Sequence, residues 1–167
     1  HYLGALENFV QVLQWLDTPD SCDYSKRASQ VRRSPQEHLW DPQQQLFADA
    51  LIDGVLSTQF SEHANAMALA LKIANSTQTA IIAKKMSLNE PHDFVRRASG
   101  LIMVTPAMSY FLLTGLCEAG YIDAAWELLQ SRFDHMLQPQ TNGTLWEEWW
   151  LDGSGRSGCF KPLPSGR

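Results

Sequence analysis

The chain has 167 residues, the length of one domain; 44% of them are apolar and 19% are charged. This balance is typical of a globular domain and excludes a disordered tail or a fibrous protein. No apolar run approaches the roughly 20 residues that a membrane-spanning helix needs. The net charge is −5 and the basic residues occur only in scattered pairs. We therefore expect neither a membrane nor a nucleic acid as a partner.

The first helix is predicted at residues 3–16, where apolar side chains recur at helical spacing. Residues 17–20 interrupt this pattern. The polar stretch 21–42 contains two prolines and is interpreted as an irregular connector, in which only residues 26–33 favour a short helix. Residues 60–74 are small or apolar almost all round a helix, which predicts a helix buried on several sides. Ser61 has the residue type and place of its N-cap.

A second, shorter helix is predicted to follow directly and to end near residue 88. Asn75 is expected to end the buried helix, and Ser76 or Thr77 to cap the next one, because their hydroxyl groups can accept a backbone N–H. Lys84 and Lys85 give this helix a polar face. Residues 60–88 thus predict a helical hairpin.

The same arrangement is predicted again between residues 105 and 136. Thr105 and Pro106 supply a cap and a first-turn proline for a helix that ends at Gly120, where a left-handed residue is needed. Asp123 begins an amphipathic helix that runs to residue 136. Strand-type alternation is essentially absent, so we predict an all-α fold of helical hairpins. Such hairpins build either an open solenoid or a closed ring.

Cysteine and histidine spacing gives no sign of a metal site or a cofactor. Cys22, Cys117 and Cys159 form neither a metal-binding pair nor a disulfide framework. The five histidines are scattered without metal-ligand spacing, so we predict no metal site. The thiols do not distinguish a reducing from an oxidising compartment, which leaves a cytoplasmic and a periplasmic or secreted location open.

An aromatic cluster at residues 144–150 is the most informative segment for function. It holds three of the six tryptophans next to Glu147 and Glu148. Tryptophan faces stack on sugar rings, and carboxylates catalyse glycosidic bond cleavage. A simpler interpretation is that the tryptophans close the helical core and the glutamates are solvated. The two glutamates are not the paired carboxylates of one glycosidase site, because neighbouring side chains point in different directions.

Several segments together resemble the C-terminal half of the catalytic domain of bacterial α-L-rhamnosidases. These glycoside hydrolases are built on an (α/α)6 toroid of helical hairpins. The most specific match is Gly-Thr-Leu-Trp-Glu-Glu-Trp at residues 143–149, followed by Phe-Ser-Glu-His-Ala-Asn at residues 60–65. Weaker matches lie at residues 39–41, 46–49, 115–120 and 124–125. The resemblance covers most of residues 38–150 and implies that the chain forms part of such a toroid.

The resemblance implies an inverting hydrolysis, in which one carboxylic acid protonates the leaving oxygen and one carboxylate activates water. Glu147 matches the base. Trp146 and Trp149 are then expected either to line the sugar-binding site or to pack behind the loop that carries Glu147. Three polar residues lie near the opening of an inner helix, namely Ser61, His63 and Asn65. Capping of that helix is sufficient to explain Ser61. From there His63 and Asn65 either bind a sugar hydroxyl or anchor neighbouring loops.

Two parts of the family pattern have no counterpart in this sequence, namely the upstream general acid and a later Ser-x-x-His segment. The chain also begins without methionine and ends in a stretch rich in proline and glycine, which is typical of a piece of a longer protein. We therefore expect residues 1–167 to form one partial domain with a flexible tail at residues 151–167. Alone it is expected to be inactive on a rhamnoside. Its exposed helix faces are expected to be covered by the remainder of the catalytic domain or by a second copy.

Two other interpretations remain open. Residues 112–129 are similar to a pentatricopeptide-type hairpin, which belongs to a family of modules that bind single-stranded RNA. No second copy returns at the period of about 35 residues that such arrays need, and the acidic balance lacks an RNA-binding face. A toroid that acts on a different sugar is also compatible with the pattern, since fold does not determine substrate.

Overall fold

The structure, a computed structural model, describes residues 1–137, 145–151, 154–156 and 162–163. The protein is mostly α-helical in these ranges, as predicted. The helices are α1 (Tyr2–Trp15), α2 (Ser21–His38), α3 (Glu62–Ala70), α4 (Ser76–Met86), α5 (Ser109–Glu118) and α6 (Ile122–Phe133), with short 3-10 helices at Pro106–Met108 and Asp134–Leu137. In the part of the chain that the structure describes, no helix combines the length and the apolarity needed to cross a membrane.

The helices form three successive hairpins, α1–α2, α3–α4 and α5–α6. Helices α3 and α5 pack against each other most extensively. They run parallel, since they begin side by side and meet again at Gly115. A Cβ atom on Gly115 would lie 2.8 Å from Leu69 Cβ and 3.3 Å from the carbonyl oxygen of Ala66. This close approach lets the two central helices share one core, whose most deeply buried members include Ala66, Ile82, Ala83, Met86, Leu112, Leu116 and Leu128.

The predicted irregular connector at residues 21–42 is wrong, because α2 is a helix of 18 residues. Its side chains are mostly polar and only Ala28 is buried, so the sequence of this helix shows no apolar stripe. Arg32 instead ties it to the rest of the fold. Its guanidinium group pairs with Glu7 in α1 and donates to the carbonyl oxygens of Leu71 (2.6 Å) and Lys72 (2.8 Å) at the end of α3.

Two predicted helix ends agree with the structure, whereas α3 ends at Ala70 and not beside Asn75. Ser61 is confirmed as the N-cap of α3, since its hydroxyl oxygen accepts the backbone N–H of Ala64 at 3.1 Å. Gly120 is confirmed as a left-handed residue after α5, with φ +87°. The N-cap of α4 is Asn75, not Ser76 or Thr77, and Asn75 forms a reciprocal capping box with Gln78.

The start of α5 also differs from the prediction. Pro106 begins a 3-10 turn, and the α-helix starts three residues later at Ser109. The Ser109 hydroxyl group donates to the carbonyl oxygen of Thr105 at 3.0 Å. The chain therefore enters α5 through a tight turn, in which the backbone N–H of Ala107 donates to a segment near the end of the chain.

Short strands fill the connections between the hairpins. In antiparallel pairs, β1 (Trp40–Asp41) lies beside β2 (Leu46–Phe47), and β3 (Leu51–Ile52) lies beside β4 (Val55–Leu56). Near the end of the chain, β6 (Gly155–Arg156) pairs with both β5 (Glu148–Trp149) and β7 (Pro162–Leu163). The predicted tail is described only at residues 151, 154–156 and 162–163. Its other residues lie outside the described ranges, as do Gly143 and Thr144 of the specific motif.

Candidate functional site

The starts of α3 and α5 form one continuous surface. A short parallel bridge joins the residues that precede the two helices. The backbone N–H of Glu62 donates to the Ile102 carbonyl oxygen at 2.8 Å, and the N–H of Ile102 donates to the Phe60 carbonyl oxygen at 3.0 Å. The first turns of the two central helices therefore open on the same side of the molecule.

Glu147 lies at this surface. The backbone N–H of Ala107, in the 3-10 turn before α5, donates to the Glu147 carbonyl oxygen at 3.3 Å. The Glu147 side chain is exposed, whereas the Trp146 side chain before it is buried. The backbone of this segment is thus held against the helix start while its carboxylate points into solvent.

Trp146 and Trp149 are both buried, with 3% and 5% of their surfaces exposed. They pack in a separate core with Met103 and Met136. The Trp149 ring meets the Phe133 ring edge-on at 5.8 Å between centroids. The indole groups therefore lie behind the segment that carries Glu147, in the protein interior.

Gly155 closes this second core from the side of strand β6. A Cβ atom at this position would lie 2.2 Å from the carbonyl oxygen of Glu148 and 2.5 Å from Trp146 Cε3. Only a residue without a side chain allows the strand to approach the indole so closely. The Trp150 indole N–H also donates to the Glu148 carboxylate at 3.0 Å, so Glu148 is engaged within its own strand region.

Asn65 is fully buried, and backbone groups engage its amide. Its Oδ1 accepts the N–H of Phe47 at 2.9 Å, and its Nδ2 donates to the carbonyl oxygens of Phe47 (3.0 Å) and Ser61 (2.9 Å). The side chain thus joins α3 to strand β2. It does not reach the exposed surface at the helix starts.

His63 is half-buried at the same surface, and its ring faces other rings at the helix starts. The His63 ring lies 5.3 Å from that of His1, and their Nε2 atoms are 3.2 Å apart. His1 also meets Phe111 of α5 edge-on at 5.1 Å. Burial lowers the pKa of His63 below its ordinary value of 6.5, while Asp49 acts in the opposite direction. A neutral imidazole both donates and accepts hydrogen bonds.

Two further side chains line the helix starts. Asp49 accepts the backbone N–H of Ser61 at 3.0 Å and its hydroxyl group at 2.6 Å, so it fixes the beginning of α3. Tyr110, a residue type more often found in the core, is 67% exposed on the first turn of α5. Its ring packs edge-on against Phe111 at 5.3 Å.

Sequence reasoning missed a buried ionic cluster directly behind this surface. The Glu62 carboxylate accepts the backbone N–H of Val104 at 2.9 Å and two N–H groups of Arg132 at 2.8 and 2.7 Å. Arg97 Nη1 lies 3.1 Å from Glu62 Oε1. The available signal was a glutamate within a helix predicted to be buried on several sides, since such a charge requires a partner.

Trp149, one of the predicted site residues, lines a shallow surface groove together with Val95, Trp150 and Leu151. The described residues contain no group of three or more His, Cys, Asp or Glu side chains that could hold a metal. A groove of about 540 Å³ lies beside the α3 start, where Gln59, Phe60, Glu90 and Arg96 are among its lining residues. None of the sequence-predicted site residues lines it.

Comparison with known proteins identifies a related fold. No protein-family model matches the chain, and no curated protein matches it in sequence. Among solved structures, the GH78 family rhamnosidase of Bacillus sp. GL1 is similar over 88% of this chain, with a TM-score of 0.72 and 20% sequence identity. The chain spans only 15% of the length of that rhamnosidase. The likeness therefore shows that this chain has the fold of one part of a GH78 rhamnosidase.

Proposed function

We propose that this chain is part of a glycoside hydrolase of the inverting α-L-rhamnosidase type and that Glu147 is its general base. The observation that carries the proposal is the position of Glu147. Its side chain is exposed beside the start of α5, while its backbone is bonded to Ala107. The similar fold of a GH78 rhamnosidase supports the same class of enzyme.

The arrangement suits a base because the backbone is anchored and the carboxylate reaches solvent. In an inverting mechanism such a carboxylate removes a proton from a water molecule, and the water oxygen attacks the anomeric carbon on the face opposite the leaving group. The partner acid protonates the leaving oxygen. The two carboxyl groups of an inverting enzyme lie about 6.5–9.5 Å apart, which leaves room for the water molecule. In our proposal another part of a larger protein supplies this acid.

The remaining predicted residues receive different roles in this proposal. His63 is assigned to a sugar hydroxyl, because it is half-exposed at the helix starts and able to donate or accept. Trp146 and Trp149 are assigned to packing behind the loop, since both are buried. Asn65 is assigned to holding strand β2 on α3, because its amide is engaged by backbone groups.

The proposal is tested by Glu147→Gln in the full-length protein, with 4-nitrophenyl α-L-rhamnopyranoside as substrate. Loss of a general base costs about 10²–10⁴-fold in rate, so kcat is expected to fall by at least about 100-fold. Helical content measured by circular dichroism is expected to stay unchanged, because the replaced side chain is exposed.

Glu148→Gln is the matched control, since it removes the same charge from the neighbouring residue. Its kcat is expected to stay within about threefold of the wild type. A Glu147→Gln variant that keeps half of the wild-type rate, or a large loss confined to Glu148→Gln, would refute the assignment of the base.

A further inference from the structure

The ionic cluster of Glu62, Arg97 and Arg132 is almost completely shielded from solvent. The exposed fractions of these side chains are 0%, 0% and 3%. Glu90 adds a second carboxylate at the edge of the cluster, with its Oε1 atom 3.4 Å from Arg97 Nε. Burial lowers the pKa of Arg97, and Glu62 opposes this effect. Interior charges persist only when partners compensate for the lost water, so Glu62 is the group on which both arginines depend.

One route leads from Glu62 to the segment of Glu147 through the backbone. Glu62 accepts the N–H of Val104, in the strand-like segment that enters the 3-10 turn at Pro106–Met108. Ala107 in that turn donates its N–H to the Glu147 carbonyl oxygen. The carboxylate of Glu62 therefore fixes the backbone on which the segment of Glu147 rests.

A second route passes through α6. Arg132 donates two hydrogen bonds to Glu62, in the bidentate geometry that best defines the orientation of a guanidinium group. The next residue, Phe133, packs its ring on Trp149, and Met136 lies in the core with Trp146. Both routes end at the two sides of Glu147.

We propose that Glu62 is a positioning residue for Glu147. It does not touch the substrate, and it acts by fixing the turn before α5 and the end of α6, between which the segment of Glu147 is held. This inference rests on the proposed function of Glu147. The placement of the Glu147 carboxylate then depends on the buried residue Glu62, one position before His63.

Hydrogen exchange of the full-length protein tests the mechanical part without any need for activity. In Glu62→Gln we expect the amides of residues 102–107 and 145–149 to exchange at least about tenfold faster. Arg32→Gln is the control, because Arg32 ties α2 to the opposite end of α3. This control is expected to accelerate exchange near residues 71–74 and to leave residues 145–149 unchanged. Unchanged protection of residues 145–149 in Glu62→Gln overturns the inference.

Steady-state kinetics test the functional part at a temperature where all variants are folded. Glu62→Gln is expected to lower kcat at least tenfold with KM within threefold, whereas Arg32→Gln keeps kcat within twofold. Arg132→Lys keeps the positive charge and loses the bidentate geometry. It is expected to lower kcat in the same way, and it decides the question if Glu62→Gln does not fold.

The two proposals fail separately. Wild-type kcat in folded Glu62→Gln or Arg132→Lys, together with a large loss in Glu147→Gln, overturns the positioning role alone. An equal loss of kcat in Arg32→Gln does the same, because it reduces the effect to general destabilisation. Full turnover in Glu147→Gln overturns the proposed function and the positioning role with it.

Discussion

His92 shows how one side chain links the buried cluster to pH. The backbone N–H of Phe94 donates to His92 Nδ1 at 3.2 Å, which requires that this nitrogen carry no proton. Burial, and then the positive charge of Arg132, lower the pKa of His92 below its ordinary value of 6.5. The folded protein therefore favours the neutral ring, and protonation favours the unfolded chain.

The pH dependence of stability follows with a definite sign. A histidine with a lowered folded pKa contributes stability above its unfolded pKa, and this contribution is lost as the pH falls below about 6.5. We expect the free energy of unfolding, measured by urea denaturation, to fall between pH 7.5 and pH 5. His63, whose pKa is also lowered, adds to the same window.

His92→Gln is expected to make this pH dependence shallower, because glutamine does not titrate. His38→Gln is the control, since the side chain of His38 is 57% exposed. The Asp93 carboxyl group affects stability only at a lower pH than the histidines do. The backbone N–H groups of Val95 and Arg96 lower its pKa, so its contribution is lost only below about pH 3.8. An identical slope in His92→Gln and the wild type would contradict the assignment.

The cap of α4 offers a second test on single residues. Asn75 accepts the N–H of Gln78 at 2.9 Å, and Gln78 returns a hydrogen bond to the N–H of Asn75 at 3.0 Å. Asn75→Ala is expected to lower the free energy of unfolding by about 1 kcal/mol. Ser76→Ala, one residue further, is expected to change it by less than about 0.5 kcal/mol. The reverse order in denaturation experiments would restore the original expectation of a Ser76 cap.

Among the helices, the contact between α3 and α5 depends on Gly115. Replacing a helical glycine by alanine ordinarily stabilises a protein by about 1 kcal/mol. At Gly115 the new methyl group would meet Leu69 Cβ at 2.8 Å, and a backbone-bound carbon cannot swing away. The cost of overpacking, about 1–3 kcal/mol, exceeds the gain. Gly115→Ala is therefore expected to lower the thermal midpoint.

Gly4 in α1 is the matched control for this substitution. Its added methyl group would meet only the tip of the Leu71 side chain, at 3.3 Å, and that tip can rotate away. Gly4→Ala is expected to leave the thermal midpoint unchanged or to raise it. A stabilising Gly115→Ala, measured in the same calorimetric series, would show that α3 and α5 do not pack so closely.

Helix α2 illustrates why an element can escape sequence analysis. Its polar composition and Pro35 favoured a connector, because a helix is normally recognised by an apolar stripe. The helix is nevertheless held through Arg32 and Gln36, whose partners lie at the end of α3 and in α4. Such polar partners are distant in sequence and leave no local periodicity.

For the molecule as a whole, several large apolar side chains are exposed on this chain. Trp15 is 75% exposed, and Leu16 and Trp126 are 67% and 59% exposed. Side chains of this size are costly to leave in water. We propose that another part of a larger protein covers the side of α1; this chain spans 15% of the length of the similar rhamnosidase.

The isolated chain is accordingly expected to be folded and inactive. Purified residues 1–167 should give a helical circular dichroism spectrum but no release of nitrophenol from the aryl rhamnoside. The full-length protein, as the positive control, should hydrolyse it. Turnover by the isolated chain would contradict the proposal that the acid comes from another part of a larger protein.

Local sequence was sufficient for the mostly helical fold and for the ends of helices at Ser61 and Gly120. These features depend on side chains and backbone groups within a few residues of one another, so a pattern along the chain reveals them. The aromatic cluster around Glu147 stays a prediction as a functional site. Its composition is visible without any fold.

Only the packed molecule distinguishes the members of that site. The fold buries Trp146, exposes Glu147 beside Ala107, and pairs Glu62 with Arg132, which lies 70 residues away. These outcomes depend on which distant segments meet when apolar surface leaves water and buried charges find partners. A local sequence pattern does not predict contacts between distant segments, because all of these residues would be equally solvated in the unfolded chain.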